Sequence, residues 1–171
     1  SIQESNLHDG DEDGAVYEAW KEDHHKLASK AARESIVLLK NEGGLLPLKK
    51  DCKVALVGDF AKVPRHQGAG SSMVNSTALE SMEDLIGAYP VNCLGCAQGY
   101  RRDKEEDTAL KKEALELAKQ AEVVLYCFGL DEMSESEGID RSHMRIPQNQ
   151  IDLLAELSRV SSNVVGILSA G

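Results

Sequence analysis

Apolar residues along this chain fall into two alternating rhythms. Four short runs are nearly continuous: Val54-Ala-Leu-Val57, Val91-Asn-Cys-Leu94, Val123-Val-Leu-Tyr-Cys-Phe128 and Val164-Val-Gly-Ile-Leu168. Runs of four to eight apolar residues that end in glycine or polar turns predict strands buried on both faces. Between them apolar positions recur every three to four residues, the spacing of one helix face. Leu27, Ala28, Ala31, Ala32, Ser35, Leu38 and Leu39 predict a helix from about Asp23 to Lys40, ended by Gly43 and Gly44 and kept from resuming by Pro47. Leu79, Met82, Leu85 and Ile86 predict a second. Leu110, Ala114, Leu117 and Ala118 mark a third over Asp103 to Gln120, and Ile151, Leu154 and Leu157 a fourth. Strands alternating with helices predict an α/β fold: a three-layer, open, mostly parallel sheet with helices on both faces, a flavodoxin-like sandwich. A chain that stops just after a buried-type strand is expected to be truncated, since such a strand needs cover on both faces.

Composition narrows the function. The 171 residues suit one domain plus a tail, and the 42 % of hydrophobic residues is enough for one core. A formal net charge of -10 with no basic stripe argues against nucleic acid, whose phosphates would be repelled. No apolar stretch reaches the length of a membrane span, which argues against a membrane partner. Residues 1–19 are acidic and read as a linker or tail, with residues 20–171 as the folded domain, incomplete at its C-terminal end. Asp9, Asp11, Asp13 and Gly14 match the opening of a calcium loop, but Trp20 stands where its bidentate glutamate belongs, so the match is weak. Cys93 and Cys96 form a C-x-x-C. Without a second pair or nearby histidines, they read with Cys52 and Cys127 as free thiols, mostly in or beside strands. A reducing, cytoplasmic setting is expected, with no metal and no cofactor.

Two loops leave the C-terminal ends of strands, where open α/β sheets bind ligands. The first, Gly58 to Ser72, contains Gln67-Gly-Ala-Gly-Ser-Ser72. Its glycines and serines suit a backbone nest that approaches a ligand, and equally a flexible surface loop. No lysine follows Gly70 as a Walker motif requires, and Met73 takes the place of the third glycine of a dinucleotide motif. The second loop, Gly129 to Arg141, holds Asp131, Glu132, Glu135, Glu137 and Asp140. Such crowding can raise a carboxyl pKa and create a proton donor, or it can be a solvated acidic loop. Asp140 and Arg141 are expected to pair.

The order of motifs resembles the second domain of family 3 glycoside hydrolases. The resemblance is carried by His24 through Glu42 with Leu45-Leu-Pro-Leu48, by Val54 to Gly58, by Gln67-Gly-Ala-Gly-Ser-Ser72, and by Ser136-Glu-Gly-Ile-Asp-Arg141 with Ile146, Pro147 and Gln150. It implies part of a retaining, exo-acting β-glucosidase, with the active site between this domain and an N-terminal barrel of the same parent chain. A retaining mechanism uses two carboxyl groups about 5–5.5 Å apart. The resemblance assigns the acid/base role to Glu137, with Glu135 second, and sugar binding to Ser71 and the Gly70 backbone. The nucleophile is an aspartate of the barrel in a Ser-Asp-Trp type motif that this sequence lacks, so the chain alone is expected to be inactive. The substrate is expected to be a β-glucoside or oligosaccharide. A β-xylosidase or related glycosidase of the same family is the alternative, and a non-catalytic carbohydrate- or nucleotide-binding α/β module is the alternative of another class.

Overall fold

The computed structural model describes residues 11–71, 73–76 and 78–170, with side chains from Trp20 onward. The described residues divide into two compact units, with the division between Gly43 and Gly44.

The first unit contains helix α1, Asp11–Ser35. The first half of the expected acidic tail, including Asp9, lies outside the described residues. From Asp11 the chain is helical, because Ala15, Glu18, Ala19, Lys21 and Glu22 are good helix formers despite their polarity. Lys26 and Glu22 pair across one turn at 2.7 Å. The helix ends at Ser35, before the predicted Lys40, so Leu38 and Leu39 fall beyond it. Ser35 Oγ donates to the Ala31 carbonyl at 2.8 Å, and two β-branched residues, Ile36 and Val37, follow.

The second unit is a parallel four-stranded sheet of β1 (Lys53–Val57), β2 (Asn92–Ala97), β3 (Val123–Gly129) and β4 (Val164–Ser169), in the order β2-β1-β3-β4. That is the flavodoxin-like order. Leu56 lies opposite Leu125 and Val57 opposite Tyr126, so apolar residues of neighbouring strands share each face. Val57, Val124 and Tyr126 turn to one face, where Ala114, Ala118, Leu153 and Leu157 of α4 (Thr108–Ala118) and α5 (Gln148–Val160) cover them. Val54, Leu56, Val123, Leu125 and Cys127 turn to the other. There the cover is thin: α2 (Asp59–Lys62), α3 (Met82–Leu85) and a 3₁₀ turn at Ile86–Ala88. It leaves an apolar groove of about 580 Å³ lined by Phe60, Met82, Ile86, Leu125 and Ile167 among others.

Two expected boundaries and one buried face move. Strand β2 runs on to Ala97, with a register shift between Val54 and Ala55 of β1 opposite the Cys93–Gly95 step. Helix α4 begins at Thr108 rather than Asp103, because the Asp107 carboxylate caps it by accepting from the Ala109 and Leu110 amides, both at 3.0 Å. In α5 the fully buried apolar residues are Leu153 and Leu157, and Ile151 faces outward. The thiols of Cys96 and Cys127, pushed up by burial to about 11 and about 12, are protonated and inert at neutral pH.

Candidate functional site

The two glycine-led loops leave neighbouring parallel strands at the same edge of the sheet, and each exit is shaped by a glycine. Gly58, at the end of β1, has φ +122°, and a Cβ there would lie 1.9 Å from the Cys127 carbonyl oxygen of β3. Gly129, at the end of β3, has φ +146°, and a Cβ would lie 1.9 Å from the Ser169 carbonyl oxygen of β4. Only glycine accepts both the positive φ and the close approach. The amide of Gly129 donates to Oε1 of buried Gln150 at 2.8 Å, and Tyr126 Oη donates to the Gln150 carbonyl at 2.8 Å. The strand end therefore has its polar groups satisfied where water cannot reach them.

Beyond these exits the loops pair with each other around Ala69. Its amide donates to the Glu132 carbonyl at 3.1 Å, and its carbonyl accepts from the Glu137 amide at 3.0 Å and from Ser136 Oγ at 3.2 Å. Gln67 closes the glycine-rich turn by exchanging two hydrogen bonds with the Val74 backbone, at 3.0 and 3.1 Å. This turn presents Ser71 to Glu137: Ser71 Oγ donates to Glu137 Oε2 at 2.5 Å, and the Ser71 amide donates to the same oxygen at 3.1 Å. Gly70, with φ +130°, sits so close that a Cβ would come 2.7 Å from Glu137 Cβ. Gly70, Ser71 and Glu137 are thus brought into one cluster, although 66 residues separate Ser71 from Glu137. The cluster is exposed, and none of its three residues lines the apolar groove.

The acidic loop is not a set of crowded carboxylates. Arg102 donates through Nε to Asp59 at 2.7 Å, reaches Glu132 at 3.2 Å and the Val63 carbonyl at 2.6 Å, and lies over the Phe60 ring at 4.8 Å. Glu135 engages two arginines, Arg65 at 2.5 Å through Oε2 and Arg141 at 3.2 Å through Oε1. Arg141 therefore pairs with Glu135 and not with its neighbour Asp140. Asp131 accepts from the Ser134 amide at 2.6 Å.

The expectation that crowding raises a carboxyl pKa is corrected for Glu137. Its pKa is lowered, first by the Ser71 hydroxyl and then by the Ser71 amide, which both favour the charged form. In this conformation Glu137 is a carboxylate at neutral pH, ready to accept a proton rather than give one. Sequence reasoning missed Arg65 and Arg102. Arg65 lies in the same loop as Gly70 and was open to notice as the cation nearest an acidic partner loop, whereas nothing local marks Arg102.

Comparison with known proteins agrees with this architecture. The model of the glycosyl hydrolase family 3 C-terminal domain matches residues 36–171. Thermostable β-glucosidase B of Acetivibrio thermocellus is 44 % identical over 155 residues, covering 88 % of this chain and 20 % of that protein. An exo-α-(1→6)-L-arabinopyranosidase of Bifidobacterium breve is 41 % identical, covering 86 % of this chain and 21 % of that protein. The crystal structure of a family 3 β-glucosidase from Bifidobacterium adolescentis superposes with a TM-score of 0.80 at 41 % identity, over 86 % of this chain and 22 % of that one. The chain thus spans about a fifth of the length of these relatives. From the parallel sheet, the paired strand-end loops and these matches together, the chain belongs to glycoside hydrolase family 3 and carries the family's C-terminal α/β domain.

Proposed function

We propose that this domain supplies the acid/base half of the active site of a retaining exo-β-glucosidase, and that Glu137 is the acid/base. The observation that carries the reading is the Ser71–Glu137 contact, which gathers three motif-matched residues at the ligand-binding edge of a parallel sheet. Glu137 first protonates the departing glycosidic oxygen, then takes a proton from the water that attacks the glycosyl-enzyme. The nucleophile comes from an aspartate on a barrel domain outside this sequence. Ser71 and the Gly70 backbone border the sugar. The lowered pKa of Glu137 suits the second, proton-accepting step. For the first step Ser71 must turn its donors to the sugar as the barrel closes over the site, since lost hydrogen bonds and desolvation both raise a carboxyl pKa. A β-glucoside is proposed because the relative of 44 % identity and the superposed structure are both named β-glucosidases. Because an arabinopyranosidase is 41 % identical over this same domain, we assign the final choice of sugar to the barrel.

The test is Glu137→Ala in a protein in which this domain is joined to its barrel. An activated aryl glucoside is compared with cellobiose, whose leaving group needs protonation. The expected result is a loss of roughly 10²–10⁴-fold on cellobiose, a smaller loss on the aryl glucoside, and recovery of the latter with azide. Equal, unrescued losses would reduce Glu137 to a binding residue. The 171-residue chain alone is expected to give no turnover of the aryl glucoside, and measurable turnover by pure chain would overturn the half-site reading.

A further inference from the structure

We propose that Glu135, held between Arg65 and Arg141, is a positioning residue that fixes the direction from which Glu137 meets Ser71. The two glutamates sit two residues apart and have opposite surroundings. The Glu135 side chain is 10 % exposed and each of its oxygens meets a different guanidinium. Glu137 is exposed and bonded to Ser71. The backbone connects them in a specific way. Ala69 binds Glu132 through its amide and Glu137 through its carbonyl, so residues 133–136 form a turn between two fixed points. Inside the segment the Ser134 amide is held by Asp131 and Ser136 Oγ by the Ala69 carbonyl, and what these contacts leave to be set is the path of the chain at Glu135, directly before the Ser136–Glu137 step. Glu135 is the charged side chain that folds back from this segment, joining Ser136 in crossing to the opposite loop, where it meets Arg65. Gly68 lies against it with little room for a Cβ, which would come 3.0 Å from the Glu135 carbonyl oxygen.

Arg65 is suited to the task. Its side chain is 14 % exposed, and its planar guanidinium fixes direction as well as distance. Arg102 does not substitute for it, being engaged with Asp59 and Glu132. The clamp therefore acts across the two loops, and it acts on Glu137 through shape. The inference rests on the reading of Glu137 as acid/base for its catalytic meaning, but the geometry it describes is testable apart from that reading.

The experiment follows the Glu137 carboxyl carbon and the Ser71 amide by NMR through a pH titration of the 171-residue chain. Wild type is compared with Glu135→Gln, Arg65→Lys and, as a reference for a broken contact, Ser71→Ala. Glu135→Gln is expected to raise the Glu137 midpoint toward its Ser71→Ala value and to move the Ser71 amide signal, with the signals of buried Tyr126 and Leu153 unchanged. The sign is informative. Removing a nearby negative charge acts through space to lower the midpoint, so a rise reports repositioning. A midpoint that stays or falls, with the Ser71 amide unmoved, would overturn the proposal. Should Glu135→Gln fail to fold, Arg65→Lys carries the same test, since it keeps the charge and loses the planar fork. A rise in that variant supports the clamp and an unchanged titration refutes it. Azide rescue that fails while the rise is present would sink the acid/base reading alone. Rescue that succeeds while no rise occurs would sink the positioning role alone.

Discussion

The places where the two loops leave the sheet and the place where they meet use glycine in the same way, against different neighbours. At the exits, Gly58 and Gly129 press against backbone carbonyls of the adjacent strands. At the meeting point, Gly70 presses against the Glu137 side chain. A strand carbonyl in a hydrogen-bonded ladder cannot move aside, but a side chain on an exposed loop can. The exits therefore belong to the fold, and the meeting point belongs to a candidate site whose geometry is adjustable. The charges follow the same division. Nearer the sheet Asp59, Glu132 and Glu135 are matched to Arg102, Arg65 and Arg141, while the outer Glu137 is held by neutral donors only.

This contrast is exposed to direct tests. The largest effect is expected for Gly129→Ala, whose new methyl would overlap the Ser169 carbonyl. A loss of about 4 kcal/mol or more in urea unfolding is expected, in the range reserved for severe core or backbone disruption. A loss below about 1 kcal/mol would show that the exit is not rigid. Gly70→Ala should cost less, about 1–2 kcal/mol for the unfavourable φ, because Glu137 can swing away. Its mark should be a displaced Ser71 amide signal, and an unperturbed one would erase the distinction between exit and meeting point. Tyr126→Phe removes the hydroxyl that anchors Gln150 and is expected to cost about 1 kcal/mol, again read by urea unfolding.

Ser71→Ala should change stability least and pH response most. Glu137 has a folded-state pKa below its unfolded value, so the Ser71 contact stabilises the fold above the unfolded glutamate pKa. That contribution disappears as pH falls through the folded value. Wild type and Ser71→Ala should therefore differ at neutral pH and converge in acid, with the Glu137 midpoint higher in the variant. Parallel stability curves at all pH values would show that Ser71 does not hold the charged form.

The strands were legible because burial on both faces leaves continuous apolar runs such as Val123 to Phe128, which no helix face produces. Helix ends were less legible, since they depend on single contacts. Asp107 caps α4 and moves its start by five residues from Asp103, and Ser35 with two β-branched neighbours stops α1 early. At residues 11–19 polarity hid a helix, since good helix formers such as Ala15 and Glu18 outweigh it. In the site, Gly70, Ser71 and Glu137 could be singled out from motif resemblance, and the parallel topology explains why loops 66 residues apart share an edge. The division of labour among the acidic residues was not legible. Asp131, Glu132, Glu135, Glu137 and Asp140 look alike along the chain, and only their partners distinguish them.

The sequence by itself determined the parallel α/β architecture, the two loops at the carboxyl edge of its sheet and the family, because these follow from local periodicity and ordered motifs. Tertiary structure alone decided which carboxylates meet arginines, that Ser71 holds Glu137 in its charged form, and that Glu135 is enclosed while Glu137 stays open. Those outcomes depend on distances between residues remote in sequence, and a proton's affinity for a carboxylate is set by the few groups within hydrogen-bonding reach.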